Sequence, residues 1–557
     1  MRKTLLNTAI LAGSIGIGSA QSTWSSGATT QEWANAANWT GGVPGVNSRA
    51  TINVSTGNTP VITTNVNKTA TVGGNDLWLG NGSGTTGRLD ISSGGTLTTN
   101  GTWVFVGNSG GTGIIHVNSG GTLSTDNDIR FNQGAIHVNS GGTLTAGRIV
   151  GTGGTSGQIN VSGTGSLTTL GAGTANGSPD LLNVAVSSFS GTISAARNLN
   201  FRNGTTSDMS GGSITTGAGG EIRIGNFGTH TFTQSAGSIS TGQWMVVGIG
   251  AGGDGTYNMS GGSVTSATGT GSTAFTTIGA GGGTGVVNMS GGTWTDVNRT
   301  FVGENTGGTG TFNLNGGVLH TGRVETGGGT GNLNFDGGTL RAYRNESNFI
   351  TANTSVRVED GGGSIDTNGF NVTTAANIVQ DGLSPGGQLE KEGAGSLTLS
   401  GTGNSVNSVM VSAGTLLVTG QLGTTAGTTV ASGAAIGGTG TLAGDLMVSD
   451  GGRIDVSIGA LTISAGSTVS FGDFGFDDIV GFDVNSAANG TYTLLEGTFS
   501  LNPAGIAHFG ESNKLSLGGN RFAWFEEGSL NVIVVPEPGI ALLGGFGLLG
   551  LLRRRRR

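Results

Sequence analysis

Short stretches of alternating apolar and polar residues recur along most of this chain, and a pair of glycines follows many of them. The clearest copies, at 115–123 and 136–144, both read Ile-His-Val-Asn-Ser-Gly-Gly-Thr-Leu and lie 21 residues apart. Looser copies with the same Gly-Gly pair lie at 257–264, 287–294, 312–319 and 333–340. Alternation with a period of two is typical of half-buried strands, and no helical period appears between the chain ends. The pattern predicts an all-β fold.

Units this short predict a solenoid, because a strand of about three to six residues cannot bury its apolar face without neighbours. We expect each unit to form one coil of a right-handed parallel β-helix, with Ile115 and Val117 pointing inward and His116 outward. Asn258 and Asn313 should also point outward between apolar neighbours. Glycine at the corners supplies positive φ. A β-propeller needs units of about 40 to 50 residues, and a sandwich needs longer alternating strands.

The repeats occupy residues 71–470, and both open ends of such a stack need a cover. Residues 21–70 lack the Gly-Gly repeat and contain Trp24, Trp33 and Trp39, which predicts an N-terminal cap. Residues 471–535 are denser in aromatic residues and poorer in glycine, which predicts a β-rich C-terminal cap.

The first 20 residues have the order of a secretory signal peptide. Arg2 and Lys3 precede an apolar core at 5–17, and small residues end in Ala20 before Gln21. This order predicts cleavage between Ala20 and Gln21, and therefore export of the chain.

The last 22 residues, 536–557, combine three parts: Pro536-Glu537-Pro538, an apolar stretch at 539–552, and the run of Arg553, Arg554, Arg555, Arg556 and Arg557. The apolar stretch is too short to cross a hydrocarbon core of about 30 Å unless flanking residues are drawn in, which suits a transient anchor. The arginines form a positive-inside flank. The tail closely resembles the PEP-CTERM sorting signal of Gram-negative bacteria. That resemblance implies a C-terminal transmembrane sorting helix, transient anchoring in the inner membrane and processing by an exosortase-type enzyme.

A second resemblance concerns the body of the chain. Trp33, Asn38-Trp39 and the run Gly-Gly-Val-Pro at 41–44 are similar to the opening of bacterial surface proteins with autotransporter-associated β-strand repeats. The stretch 389–401, Leu-Glu-Lys-Glu-Gly-Ala-Gly-Ser-Leu-Thr-Leu-Ser-Gly, and the stretch 411–416 resemble the repeat itself. The resemblance places such a repeat near 388–445 and implies a β-helical region.

Composition narrows the classes of function. The chain has no cysteine, so an exported form must depend on burial and backbone hydrogen bonds rather than disulfides. Removing both end signals takes 7 of 24 basic and one of 32 acidic residues, and leaves 17 against 31, a net charge of −14. Because no basic cluster lies outside the two signals, nucleic-acid binding is not expected.

His116 and His137 should lie on adjacent coils at the same outward position, and Asn258, Asn288, Asn313 and Asn334 occupy the corresponding place in their repeats. Two stacked histidines are compatible with a metal or ligand site. With no carboxylate beside them in the motif, a stacked polar ladder is the favoured interpretation.

The candidate catalytic carboxylates are pairs: Asp126/Asp128, Glu359/Asp360, Glu390/Glu392 and Asp477/Asp478. The sequence identifies no basic partner one coil away from any pair, so no catalytic residue is predicted. Asp473 with Asp477 and Asp478 offers oxygen ligands for Ca²⁺, but a solvated acidic loop is favoured. No zinc pattern or phosphate-binding loop is present in the sequence, and we predict no metal and no cofactor.

Together these features predict an exported, non-enzymatic protein of the bacterial outer surface or extracellular matrix, associated with exopolysaccharide. Two alternatives remain. One is a carbohydrate-active β-helix enzyme, a polysaccharide lyase or hydrolase, which requires a compact groove of acidic and basic side chains on adjoining coils. The other is an autotransporter-like adhesin, which requires a C-terminal membrane barrel that about 65 residues cannot supply.

The stacked-coil hypothesis predicts an elongated particle. Coils of about 23 residues over 71–470 give roughly 17 coils and a rod of about 80 Å at a spacing of ~4.8 Å. Small-angle X-ray scattering of the exported chain should give a pair-distance distribution with an extended tail. The symmetric distribution of a sphere would contradict the hypothesis.

Overall fold

The computed structural model describes residues 20–25, 27–69, 75–171, 181–182, 184–202, 205–266 and 274–536. Over these residues the protein is all-β and forms a parallel β-solenoid of about 17 turns, which confirms the predicted parallel solenoid; the predicted C-terminal sorting helix lies outside the described residues. The chain divides into two compact units, an N-terminal unit of residues 1–199 and a C-terminal unit of residues 200–557. Among the described residues, the helical elements are 3-10 turns at Ala36–Asn38, Phe476–Asp478, Pro503–Gly505 and Glu511–Asn513.

The strands of the N-terminal unit are β1 (Ala20–Thr23), β2 (Ser48–Ile52), β3 (Val61–Ile62), β4 (Asn65–Asn67), β5 (Leu77–Asn81), β6 (Thr86–Ile91), β7 (Thr96–Thr98), β8 (Val104–Asn108), β9 (Thr112–Val117), β10 (Thr122–Ser124), β11 (Asp128–Val138), β12 (Thr143–Ala146), β13 (Arg148–Val161), β14 (Ser166–Thr169), β15 (Leu181–Leu182), β16 (Ala185–Phe189) and β17 (Thr192–Ala195). Strand β18 (Leu199–Phe201) contains the point, between Leu199 and Asn200, at which the chain passes from the N-terminal to the C-terminal unit.

The strands of the C-terminal unit are β19 (Thr205–Thr216), β20 (Ile222–Asn226), β21 (Thr229–Ser240), β22 (Met245–Ile249), β23 (Asp254–Met259), β24 (Ser263–Ser266), β25 (Thr276–Ala280), β26 (Thr284–Asp296), β27 (Thr300–Val302), β28 (Thr309–Thr321), β29 (Val324–Glu325), β30 (Thr330–Phe335), β31 (Thr339–Ala342), β32 (Glu346–Ile350), β33 (Ser355–Val358), β34 (Gly363–Asp366), β35 (Val372–Thr374), β36 (Ile378–Gln380), β37 (Gln388–Glu392), β38 (Ser396–Leu399), β39 (Asn404–Val406), β40 (Ser408–Val411), β41 (Thr415–Val418), β42 (Gln421–Thr424), β43 (Thr428–Val430), β44 (Ala435–Gly437), β45 (Thr441–Ala443), β46 (Leu446–Val448), β47 (Arg453–Asp455), β48 (Leu461–Ile463), β49 (Thr468–Phe471), β50 (Ile479–Val480), β51 (Gly490–Gly497), β52 (Ser500–Asn502), β53 (Leu515–Gly518), β54 (Arg521–Glu526) and β55 (Leu530–Pro536).

Each coil contributes strands to three parallel columns, which we name A, B and C in chain order. In the N-terminal unit column A runs β2, β5, β8, β11, β13 and β15, column B runs β3, β6, β9, β11, β13 and β16, and column C runs β4, β7, β10, β12, β14 and β17. In the C-terminal unit β19 contributes to columns B and C, column A continues with β20, and the three columns end with β50, β51 and β52. Strands such as β11 turn a corner without a break and so contribute to two columns.

The inward and outward positions agree with the sequence pattern. Ile115 and Val117 have no exposed surface, whereas His116 between them is half-buried. The same order holds around Asn258 and Asn313, whose neighbours on either side are buried. Burial of these rows supplies the hydrophobic stabilisation that single short strands lack.

The Gly-Gly pairs lie at corners, and one glycine of each has positive φ, as predicted. In the N-terminal unit it is the first of the pair, Gly120 at φ 71° and Gly141 at φ 78°. In the C-terminal unit it is the first at Gly337, with φ of 109°, but the second at Gly262 and Gly292, with φ of 80° and 84°. In β26 and β28 the strand continues through this corner with a shift of register. One motif therefore makes two different corners.

Aromatic residues cluster at both ends of the described chain. Trp24 and Trp33 pack against Trp39 at ring-centroid distances of 5.0 and 4.7 Å, and the Trp39 indole donates to the Trp33 carbonyl at 2.8 Å.

At the C-terminal end, parallel pairing gives way to an antiparallel sheet in the order β51, β55, β54 and β53. No helix among the described residues has the length and apolar character needed to cross a membrane.

A lysine interrupts one of the buried rows of column C. Lys391 pairs in register with Ile365 and Val411 and is 1% exposed. Its Nζ donates to the carbonyls of Glu392, Gly393 and Ala413 at 2.8, 2.7 and 2.9 Å, and to the Thr367 hydroxyl at 3.1 Å. Burial lowers the pKa of Lys391 to about 8.

We predict that Lys391→Met destabilises the protein by about 1–3 kcal/mol at pH 7, because carbonyls on two coils lose their buried donor. The folded pKa is below the unfolded value, so the native state binds fewer protons between pH 8 and 10.5. Stability should therefore rise with pH in that window, by up to about 3 kcal/mol for this group, and the rise should be smaller by that amount in Lys391→Met, which keeps the contribution of Lys68. Urea unfolding at pH 7, 8 and 10 measures both effects.

Lys514→Met is the matched control, since the Lys514 ammonium lies at the surface 3.9 Å from Glu511. It should change stability by less than about 0.5 kcal/mol. Equal effects at the two lysines would contradict the structural role of Lys391.

Candidate functional site

The residues predicted for export and sorting lie at the edges of the described chain. Ala20 and Gln21 are the first two residues of β1 and pair with Ser48 and Arg49. Pro536 is the last residue of β55 and pairs with Arg521. Glu537, Pro538, the apolar stretch and Arg553, Arg554, Arg555, Arg556 and Arg557 lie outside the described residues.

The outward asparagines of column B form the predicted ladder. The side-chain amide of Asn288 donates to Asn258 Oδ1, that of Asn313 to Asn288 Oδ1 and that of Asn334 to Asn313 Oδ1, at 2.8, 2.7 and 2.8 Å. Strand register places them, because Asn258, Asn288, Asn313 and Asn334 are directly paired on successive coils. The ladder holds neighbouring coils together from outside the core.

The histidines also stack, but their surroundings include a group that the motif does not show. His116 and His137 are paired in register with ring centroids 4.7 Å apart, and Asn160 Nδ2 lies 3.0 Å from His137 Nδ1. The motif itself contains no carboxylate, but Asp90 pairs with His116 and its Oδ1 is 3.7 Å from His116 Nδ1. Register reveals this neighbour, which lies on the preceding coil.

The histidine column nevertheless has the electrostatics of a structural ladder. Arg88 engages both oxygens of Asp90 at 2.9 Å, so that carboxylate already has a partner. Burial lowers the pKa of both His116 and His137, which favours neutral rings. Among the described residues no group of three His, Asp or Glu side chains is placed to hold a metal ion.

One candidate carboxylate has a basic partner one coil away that the sequence does not identify. Asp128 is in register with Arg148, whose Nε and Nη2 donate to its two oxygens at 2.9 Å. Asp381, which is not among the candidates, likewise accepts from Arg357 on the preceding coil at 2.8 Å. The sequence does not show these pairs because the two partners are 20 and 24 residues apart, and only strand register brings them together.

Three carboxylates meet at one corner of the C-terminal unit. Asp336, Glu359 and Asp381 are each the first residue after a column B strand, and the strands that precede them pair in register. Burial, followed by the charges of Asp336 and Asp381, raises the pKa of Glu359. The Arg357 hydrogen bond lowers the pKa of Asp381. This corner carries acidic and basic side chains on adjoining coils.

The remaining candidates stay apart or have structural partners. Asp126 accepts from the Gly101 amide at 2.7 Å, and Glu392 accepts from the Ser364 hydroxyl at 3.2 Å. Asp478 accepts from the Gly475 amide at 2.8 Å and so caps a 3-10 turn. Asp473 and Asp477 do not form a metal cluster with it within the described chain.

The outer surface of column A carries aromatic and arginine side chains that the sequence analysis missed. In the N-terminal unit Trp78 pairs in register with Phe105, their ring centroids 6.0 Å apart. Trp103 lies 6.0 Å from Phe105, and the Arg130 guanidinium lies 3.6 Å from the Trp103 ring centroid. Arg49 covers Trp78 at 4.1 Å. We call these five half-buried residues the N-terminal aromatic face.

The corresponding column of the C-terminal unit carries a similar set. Trp244 stacks on Phe275 at 5.4 Å, and Phe275 meets Phe301 edge-to-face at 5.1 Å. The Arg299 guanidinium lies 5.3 and 4.9 Å from the rings of Phe275 and Phe301, and it pairs with Glu325 at 3.4 Å. Trp244, Arg299 and Glu325 are half-buried, whereas Phe275 and Phe301 are each only 9% exposed. We call these five residues the C-terminal aromatic face.

A regular spacing in the sequence, between a planar side chain and a following glycine, is a signal that points to members of both faces. Trp103, Trp244, Phe275 and Arg299 each lie four residues before a glycine, and those glycines, Gly107, Gly248, Gly279 and Gly303, all have φ between 71° and 74°. The spacing fixes where a side chain leaves the coil, so residues at that spacing stack. Planar rings and guanidinium groups at the surface are suited to contacts with sugar rings and hydroxyls.

Comparison with known sequences does not assign the chain to a family. No family model matches it. No curated protein shows significant similarity to it.

We predict that Asn313→Asp destabilises the ladder. Aspartate at position 313 still accepts a hydrogen bond from the Asn334 amide. It cannot donate to Asn288 Oδ1, however, and one of its carboxylate oxygens then faces that oxygen. The expected loss is about 1–2 kcal/mol in the free energy of unfolding. Thr311→Asp adds the same charge two residues away on the outer face of β28 and should cost less. If both variants lose equal stability in urea, charge rather than the ladder explains the effect.

Proposed function

We propose that the protein is an exported, non-enzymatic structural component of the bacterial outer surface or extracellular matrix, where it associates with exopolysaccharide. Its tail, 536–557, is handled by an exosortase-type enzyme after transient anchoring in the inner membrane. In this proposal the solenoid winds to the right, as parallel crossover connections do, and the chain binds no nucleic acid, metal or cofactor.

The parallel β-solenoid is the observation that carries the proposal. Backbone hydrogen bonds connect successive coils within each unit, and polar ladders such as Asn258 to Asn334 reinforce them from outside. A fold of this kind is compatible with a surface structural or adhesin-like protein. It presents a long polar surface without depending on disulfides.

The two aromatic faces support association with polysaccharide. Each combines aromatic rings and arginine on one column, and the half-buried members, among them Trp103 and Arg130 in one face and Trp244 and Arg299 in the other, reach the surface, whereas Phe275 and Phe301 are buried. Rings of this kind can stack on the apolar face of a sugar, and guanidinium groups donate to its oxygens. The combination of apolar rings and hydrogen-bond donors on one surface favours a hydroxyl-rich polymer as partner.

The corner of Asp336, Glu359, Asp381 and Arg357 favours a second candidate, a polysaccharide lyase or hydrolase. Glycosidic chemistry uses a pair of carboxyl groups, of which one has a raised pKa. Glu359 has the raised pKa and Asp381 the lowered one. We rank this candidate second because Arg357 already engages Asp381 at 2.8 Å, and that arginine is itself exposed at the corner.

One experiment separates the two functions. The exported chain is incubated with the exopolysaccharide of the producing cell, and both retention on the polymer and release of reducing or unsaturated ends are measured. The structural proposal expects retention without release. Absence of retention would refute polysaccharide association.

Glu359→Gln is the variant for the enzymatic candidate. It removes the group with the raised pKa and leaves the fold unchanged. If the wild-type chain releases sugar ends and Glu359→Gln does so at least about 100-fold more slowly, the corner is catalytic and the structural proposal is wrong.

A further inference from the structure

Phe227 has a backbone conformation that its side chain disfavours. It forms the corner after β20 with a φ of 54°. Bulky residues rarely adopt this left-handed region, because Cβ approaches backbone oxygen. The next coils have glycine at the equivalent place, Gly250 at φ 81° and Gly281 at φ 56°. Glycine would therefore satisfy the backbone at position 227 without the strain.

The ring of Phe227 does not fill the core. Its side chain is 64% exposed. One side of the ring packs on Gly250, where an added Cβ would overlap it. The adjoining corners present exposed residues with small or absent side chains, Ala251, Gly252 and Gly281. The ring thus lies at the edge of a flat shelf and keeps most of its surface toward solvent.

A strained conformation that contributes nothing to core packing indicates another role for the residue. An exposed aromatic ring beside exposed residues with small or absent side chains is a typical contact residue for a partner. The corner also adjoins column A, the column that carries the C-terminal aromatic face.

Charge decides which partner fits. Residues 200–536 contain 25 acidic and 11 basic residues, a net charge of −14, whereas residues 21–199 contain six of each. Asp254, exposed on the next coil, adds negative charge close to this corner, and Glu304 lies beside the equivalent corner three coils along. A second copy of this unit, an acidic polymer and an anionic membrane would all be repelled. A neutral polysaccharide would not.

We propose that Phe227 is a stacking platform for a sugar ring of a neutral polysaccharide. The apolar face of a pyranose would lie on the exposed part of the phenyl ring, and its neighbours in the polymer would extend over the glycine shelf. This inference rests on the proposed association with polysaccharide and names the class of polymer and a residue that contacts it.

The test uses Phe227→Asn in the exported chain. Asparagine tolerates left-handed backbone, so the variant removes the ring and relieves the strain. Affinity electrophoresis compares gels that contain a neutral β-glucan, a neutral α-glucan, a galactomannan or alginate, a polymer of uronic acids. We expect at least one neutral polymer to retard the wild-type chain, about tenfold weaker binding by Phe227→Asn, and a thermal midpoint that is unchanged or slightly higher.

Leu383→Asn is the matched control, because Leu383 is 95% exposed on another turn of the same unit. It should bind as the wild type does. The proposal is overturned if Phe227→Asn keeps wild-type affinity, if it lowers the thermal midpoint by several degrees, or if alginate alone or no polymer retards the wild type. A dimer of the wild type that Phe227→Asn abolishes would assign the ring to a second copy and also overturn it.

The same variant distinguishes this inference from the broader function. If the wild type and Phe227→Asn are retained equally on the producing cell's exopolysaccharide, the polysaccharide association stands and the platform is wrong. If neither is retained, the proposed function itself fails.

Discussion

In-register parallel pairing is the constraint on which the rest of this structure depends. Because each strand pairs with its equivalent on the next coil, every side chain has the equivalent side chains of two neighbouring coils beside it. Like therefore stacks on like. Inward rows become continuous aliphatic and aromatic cores, and outward rows become ladders of asparagine, histidine or aromatic rings. Any residue that differs from its row is consequently conspicuous.

Two such exceptions show how the stacked coils accommodate a residue that differs from its neighbours above and below. Lys391 occupies an inward place between Ile365 and Val411, and four acceptors receive its ammonium group. Phe227 occupies a corner where later coils have glycine, and its ring turns outward. In the first case hydrogen bonds offset the burial of charge. In the second nothing in the core compensates, which is why a partner outside the chain is the more economical explanation.

The sequence predicted the coil and its inward and outward positions, since alternation and glycine corners are local signals. It did not predict what depends on the register between coils. Asp90 beside His116, Arg148 beside Asp128 and the stacking of Trp244 on Phe275 each join residues more than 19 apart. Coil length varies along the chain: Asn258 pairs with a residue 30 positions on, and Thr428 with one 18 positions on. A fixed repeat length therefore assigns the wrong neighbours.

The short distance along the chain between paired strands has a consequence for how the protein folds. Every coil finds its partner within about 30 residues, so loop closure costs little and native contacts form locally. A chain that leaves a narrow channel from one end can add coils one after another, each templated by the last. Such sequential folding needs no distant segment to be present. The free energy released as each coil folds opposes movement of the chain back into the channel.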